Sequence, residues 1–139
     1  MIILDTNVVS EPMKPHGNPL VRKWLDRQVA ETLYLTATSL SELLLGLQLL
    51  PKGRRRESLS TMLSALLEQM FGPRLLPFDQ QSAIAYAAIV SRARAKGYAI
   101  STGDGQIAAI AEVHGFAIAT RDLGPFRAVG AAVINPWEG

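Results

Sequence analysis

The sequence predicts an α/β fold in which a parallel sheet is covered by helices on both faces. Three observations lead there. Short β-type runs alternate with longer runs of helical period along the whole chain. The first of these runs, at residues 1–4, reads as the apolar end of a buried strand, as suits a sheet covered on both sides. The chain has 139 residues, 48% of them hydrophobic, which is close to the usual size of one domain and enough for a real core.

Each element follows from its own pattern. Ile2–Leu4 is the first strand candidate, and residues 20–30 carry Leu20, Val21, Trp24, Leu25 and Val29 on one side of a helix. A strand at 33–35 precedes a helix at 39–50, where Leu40, Leu43, Leu44 and Leu47 fall at i, i+3, i+4, i+7. Residues 57–70 repeat that spacing with Leu59, Met62, Leu63, Leu66 and Leu67. A strand at 74–76 leads to an alanine-rich helix at 80–96, closed by Gly97. A last long helix at 105–113 ends near Gly115, followed by strands at Ala117–Ala119 and at 132–134. The Pro/Gly-rich pieces at 12–19, 51–53 and 72–77 are ordinary loops. With no repeat and no boundary, residues 1–139 read as a single domain.

Composition narrows the chemistry. Fourteen Lys+Arg against twelve Asp+Glu give a net charge of +2, so any nucleic-acid contact must come from a local patch. The absence of cysteine excludes disulfides, thiolate catalysis and Cys-ligated zinc, and is compatible with a reducing, cytoplasmic location. Asp5 interrupts the first apolar run, unlike a signal peptide, and the longest apolar stretch, 83–90, is too short for a membrane span.

Four of the twelve acids occupy equivalent places. Asp5 follows the first strand and Asp122 the strand at Ala117–Ala119; Glu42 lies early in the helix after the second strand, and Asp104 immediately precedes residues 105–113. In a parallel sheet the strand carboxyl ends and the helix N-termini share one edge, where ligands bind. All four carboxylates are therefore expected to face one pocket. Each also has a plainer reading as a helix cap: Asp5, Asp104 and Asp122 as N-caps, and Ser39–Glu42 as a capping box. Caps alone give no reason for four acids on one edge. Two like charges 4 Å apart cost about 4 kcal/mol at an effective dielectric of 20. Raised pKa values or a bound cation must relieve that. The donor set is oxygen-only, which suits Mg²⁺ or Mn²⁺. An ion so held would lower the pKa of a bound water and set it in line with a phosphodiester. Gly46, one turn beyond Glu42, leaves bare helix surface, either for close approach of a ligand or for tight helix packing.

The segments ILDTN, SELLLG, DGQIAAIA and ATRD, in that order, resemble the four signature segments of PIN-domain ribonucleases. The nearest resemblance is to the VapC toxin type and its FitB-like branch, whose NPW ending is similar to the closing INPWEG. The resemblance implies a three-layer α/β/α sandwich with a central parallel sheet, and an Mg²⁺- or Mn²⁺-dependent endoribonuclease. It assigns Asp5, Glu42 and Asp104 to the acidic triad, Asp122 to the fourth acid, and Thr6, Asn7 and Thr120 to supporting positions. It further implies a homodimer, or a higher-order complex, held by a cognate antitoxin that alone contacts DNA and whose peptide blocks the acidic pocket. One departure is Pro125, where many relatives carry a fifth acid. Candidate RNA phosphate contacts are Arg121, beside Asp122, and the run Arg54, Arg55, Arg56, although such a run is more often just a solvated helix entry. Part of the leucine surface of the helices at 39–50 and 57–70 is expected to meet another chain.

Two rival readings remain at this level. Haloacid-dehalogenase-type phosphatases also carry an acid after strand one, with Asp5 then a nucleophile, but their second acid position is here Asn7. A non-catalytic reading makes the chain an interaction subunit that steadies a DNA-binding antitoxin.

Overall fold

The computed structural model describes residues 1–139 as a five-stranded sheet between two layers of helices. The chain runs β1 (Ile2–Leu4), α1 (Thr6–Ser10), α2 (Pro19–Arg27), β2 (Leu33–Thr36), α3 (Ala37–Leu49), α4 (Arg54–Ala65) and β3 (Leu75–Leu76). It continues through α5 (Gln80–Ala95), α6 (Thr102–His114), β4 (Ala117–Ala119), α7 (Leu123–Ala128) and β5 (Val133–Ile134). Strand order is β3-β2-β1-β4-β5, and every pairing is parallel. No helix is long and apolar enough to cross a membrane.

The period of two along the strands divides the core. In β1, Ile3 pairs with Tyr34 and Ile118, while Leu4 pairs with Ala119. Ile3 and Ile118 face a cluster built from α5, α6 and α7, including Ile89, Ile107, Ile110 and Phe126. Leu4, Leu33, Leu35 and Ala119 face the other cluster, with Val8, Trp24, Leu43 and Leu63. Eleven buried residues lie on each side, so both faces are closed and β1 is buried on both.

Several boundaries differ from the sequence pattern for identifiable reasons. The helix expected over 20–30 stops at Arg27. There Gln28 turns extended, donating its backbone N–H to the Leu25 carbonyl and its side-chain amide to the Trp24 carbonyl in place of another turn. The helix expected over 57–70 starts three residues early, at Arg54, and widens into a π-helical turn at Leu66–Phe71. Gly72, at φ 47, ends it, and the Arg74 guanidinium donates to the carbonyls of Met70 and Leu33, tying the turn to β2. The edge strands shrink to two residues each, Leu75–Leu76 and Val133–Ile134. The helix expected from 105 begins at Thr102, because Ser101 caps it. Helix α1, at five residues, is too short to give a periodic signal in the sequence.

Helices α5 and α6 meet at close range around Gly105. A Cβ there would stand 2.8 Å from the Tyr86 ring and 3.1 Å from Val90. By contrast, a Cβ at Gly46 meets nothing within 4 Å. Gly105→Ala is therefore expected to lower unfolding free energy by about 1–3 kcal/mol through overpacking. Gly46→Ala should instead raise it by up to about 1 kcal/mol through helix propensity. Urea denaturation of both variants checks the opposite signs.

Candidate active site

Strand order runs away from the β1–β4 pair in both directions, so the crevice outside their carboxyl ends is the switch point where open α/β sheets take ligands. Asp5 follows β1 directly, and its backbone N–H still pairs with the Ala119 carbonyl at 2.9 Å. Its side chain is only 4% exposed. Oδ1 accepts the Thr6 N–H at 2.8 Å, and Oδ2 accepts the Thr120 hydroxyl at 2.8 Å. The fully buried Thr120 also accepts the Asp122 N–H at 2.9 Å. Asn7 crosses the same gap, donating to Asp122 Oδ2 at 3.3 Å and accepting the Arg121 N–H at 3.4 Å. One hydroxyl and one amide thus lock the ends of two strands together and set the directions of two carboxylates.

The other two acids arrive on helices. Thr36, the last residue of β2, caps α3 by accepting the Ser39 N–H at 3.0 Å. Glu42 therefore lies beyond the first turn, and the Ser39–Glu42 capping box is not formed. Ser101 caps α6 by accepting the Asp104 N–H at 3.1 Å, so Asp104 is the third residue of the helix rather than its cap. Asp122 makes no side-chain cap bond to α7, in whose first turn Pro125 sits without needing a backbone N–H. Asp5 alone keeps the plainer role as well, capping α1. The Thr38 hydroxyl donates to Gln106 at 2.9 Å, joining α3 to α6 and fixing Glu42 relative to Asp104. A side chain at Gly103 would stand 3.4 Å from Glu42 Oε1, while the face at Gly46 is open, so tight helix packing does not explain that glycine.

The carboxylates share one electrostatic field. Burial pushes Asp5 above its ordinary value; the Thr120 and Thr6 hydrogen bonds oppose this, while the charges of Asp104 and Asp122 add to it. Burial also raises Glu42, helped by Asp5 and Asp104 and opposed by the Thr6 hydroxyl. Asp104 is raised by burial and by Asp122, against its bond to Ser101. No three His, Cys, Asp or Glu side chains stand close enough to hold one ion directly. The donor set still fits a hard divalent cation of the kind bound through one or two carboxylates and completed by water. Thr6 Oγ1 is buried near Glu42 but makes no hydrogen bond of good geometry, so it is a polar atom such a water shell would satisfy.

The basic candidates separate. Arg55 and Lys14 line a groove of about 570 Å³ together with Glu42, Thr6 and Gly46. Arg56 is committed to Gln48, at 2.7 Å, and Arg54 is exposed in the first turn of α4, outside that groove. Glu11 was not apparent as a site neighbour from the sequence. It is 7% exposed and accepts the Asn18 N–H at 3.1 Å and Lys14 Nζ at 3.0 Å. Burial would raise its carboxyl, but the Asn18 and Lys14 bonds and the Arg121 charge outweigh that and hold it low. The one available signal was Lys14 three residues after Glu11, the spacing of an ion pair on a single turn.

The model of the PIN domain family matches residues 2–132. The chain is 49% identical over 138 residues to the plasmid stability protein StbB of Pseudomonas syringae pv. tomato, covering 99% of both. It is 44% identical over 138 residues to the VapC ribonuclease Y4jK of Sinorhizobium fredii, again covering 99% of both. Among solved structures, that of FitAB bound to the IR36 DNA fragment contains a chain 44% identical, superposing with a TM-score of 0.89 over 99% of this chain and 96% of that one.

The raised carboxyls carry a sign for stability. Native Asp5 holds its proton to higher pH than the ordinary value of 3.8, so without divalent cation the folded chain loses stability as pH climbs from there through the native pKa. Asp5→Asn removes that loss. In chelator, its thermal midpoint should exceed the parent's at about pH 7, the gap closing towards about pH 4. A gap that does not depend on pH contradicts the expectation.

Proposed function

The chain belongs to the PIN domain family, and on that premise we propose that it is a metal-dependent endoribonuclease, the toxin of a toxin–antitoxin pair. The observation that carries the reading is the meeting of Asp5, Glu42, Asp104 and Asp122 at the sheet's switch point, where burial and mutual charge raise three of their carboxyls. Nuclease chemistry also agrees with the ribonuclease name of a 44% identical relative.

Asp5, Glu42, Asp104 and Asp122 would hold Mg²⁺ or Mn²⁺, one or two of them directly and the others through bound water. Bound there, such an ion supplies an activated water and offsets charge on the phosphodiester oxygens. The remaining work belongs to the chain. Thr120 and the Thr6 N–H occupy one lone pair on each Asp5 oxygen, so the others face the crevice in a fixed orientation. Asn7 does the same for Asp122. Gly103 lets Glu42 lie against the first turn of α6. Without a cation this field repels an anionic backbone, so substrate binding and cleavage share one requirement. Arg121 and Arg55 are the best-placed phosphate contacts, since Arg56 is occupied and Arg54 lies off the groove.

The partner follows the same line. The groove beside Glu42 is walled by Leu43, Leu47, Leu50, Leu59 and Met62, and suits an antitoxin peptide that reaches the acids. Exposed Leu44, Leu45 and Leu49 on α3 suit the homodimer or the same antitoxin. The structural relative's complex carries DNA, in keeping with DNA contact through the antitoxin alone. The phosphatase alternative loses ground to the family match, and Asn7, at the position of its second acid, is bonded to Asp122 instead.

Cleavage of RNA is expected with Mg²⁺ or Mn²⁺, and its loss with chelator, Asp5→Asn or Asp104→Asn; chelator-resistant cleavage sinks the mechanism. If the chain is only an interaction subunit, Asp5→Asn will leave growth arrest intact as well as antitoxin binding. Thr120→Val, which keeps shape but removes the hydroxyl, should cut activity by about 10–100-fold, as read by the same cleavage assay.

A further inference from the structure

Arg121 stands among acids yet pairs with none: the chain's salt bridges are Lys14–Glu11 and Arg92–Glu112. Its guanidinium carbon lies instead over the indole of Trp137, 5.3 Å from the ring centroid. The two residues are brought together by the sheet. Thr120 N–H donates to the Ile134 carbonyl at 2.9 Å, placing Arg121 two residues past β4 and Trp137 three residues past β5. The backbone that carries the ring is itself held. Asn135 Oδ1 accepts the Trp137 backbone N–H at 3.0 Å, and the Asn135 amide donates to Glu138 at 3.2 Å. Pro136 is buried, and Arg27 of α2 donates to the Gly139 carbonyl at 3.2 Å. At its other end Arg121 is held by its backbone N–H on Asn7.

A guanidinium next in sequence to Asp122 and near enough to Glu11 to help hold its carboxyl low would lose its free N–H fork if it paired with either acid. An aromatic face attracts the cation without using any N–H. We infer that Trp137 is a positioning residue: its ring parks the Arg121 guanidinium beside the acidic crevice with its N–H fork free for an RNA phosphate. The inference rests on the ribonuclease reading and adds the C-terminal turn, which holds none of the acids, to the substrate-binding apparatus.

The test measures binding of a fluorescein-labelled, single-stranded RNA of mixed sequence to the full chain in an Asp5→Asn background, with Mg²⁺, across a salt series. Trp137→Leu should raise Kd by about two- to fivefold, the scale of one exposed cation–π contact. Arg121→Ala should weaken binding at least as much and flatten the salt slope by about one ion. Trp137→Leu added to Arg121→Ala should change nothing further, and Trp137→Phe should restore binding. In the cleavage-competent chain, Trp137→Leu should raise KM and leave kcat unchanged. Tryptophan emission, with Trp24 constant, should shift on Arg121→Ala without any RNA.

Additive losses in the double variant would mean that the ring stacks on a base, and a Phe variant as weak as the Leu variant would mean simple packing; either overturns the inference. So does parent-like binding by Trp137→Leu, which leaves the ribonuclease reading intact. If only the Asp5→Asn background fails to bind RNA, the KM of the cleavage-competent chain decides the inference; neither binding nor cleavage by the unmutated chain with Mg²⁺ overturns both readings, and the emission shift then reports only that the Arg121–Trp137 contact exists.

Discussion

The structure turns on a carboxylate buried where two parallel strands end. Asp5 is 4% exposed, and an ionised group in that position is tolerable only if its oxygens are satisfied. The Thr120 hydroxyl meets one oxygen and the Thr6 N–H the other. Because Thr120 also takes the Asp122 N–H, the hydroxyl has one orientation available, its proton spent on Asp5 and a lone pair on Asp122. Everything nearby is arranged around that bond. The β1–β4 pairing brings Thr120 within reach, α1 starts from Asp5, and Asn7 closes the same gap from the next residue but one.

The same arrangement opposes the folded state. Three carboxyls are raised by burial and by one another, so the crevice is a region of mutual repulsion held together from outside. The restraint comes from two closed apolar layers and from polar ties such as Thr38 to Gln106. Glu11 makes the contrast plain. It is also little exposed, but it accepts bonds from Asn18 and Lys14 and lies in the field of Arg121, and its carboxyl is held low instead of raised. For Asp5 burial outweighs its hydrogen bonds, whereas for Glu11 the donors and cations outweigh burial.

Much of this was legible in the residues. Ile2–Leu4 and Ala117–Ala119 have the bounds their apolar runs imply, and the positions of the four acids relative to strands and helices were enough to place them at one sheet edge. What misled was local chemistry with two solutions. Ser39-Leu-Ser-Glu42 fits a capping box, but Thr36 lies at the end of a paired strand and reaches the Ser39 N–H first. Asp104 is a good cap by type, yet Ser101 lies three residues earlier with the same ability. Helix ends depend on such contests, which sequence spacing does not rank. The π turn at Leu66–Phe71 and the Arg121–Trp137 contact depend on residues distant in the chain, Arg74 with Leu33 in the first case and the β4–β5 register in the second.

The shortness of the outer strands has a consequence for how the chain meets other proteins. β3 and β5 are two residues long, and they are the only rims of the sheet. A rim that short offers too few unpaired peptide groups to template an added strand, the route by which unrelated chains stick to one another through backbone alone. Association is left to the helical faces, where recognition must read side-chain shape and charge. Such a surface discriminates between partners by what it excludes as much as by what it accepts.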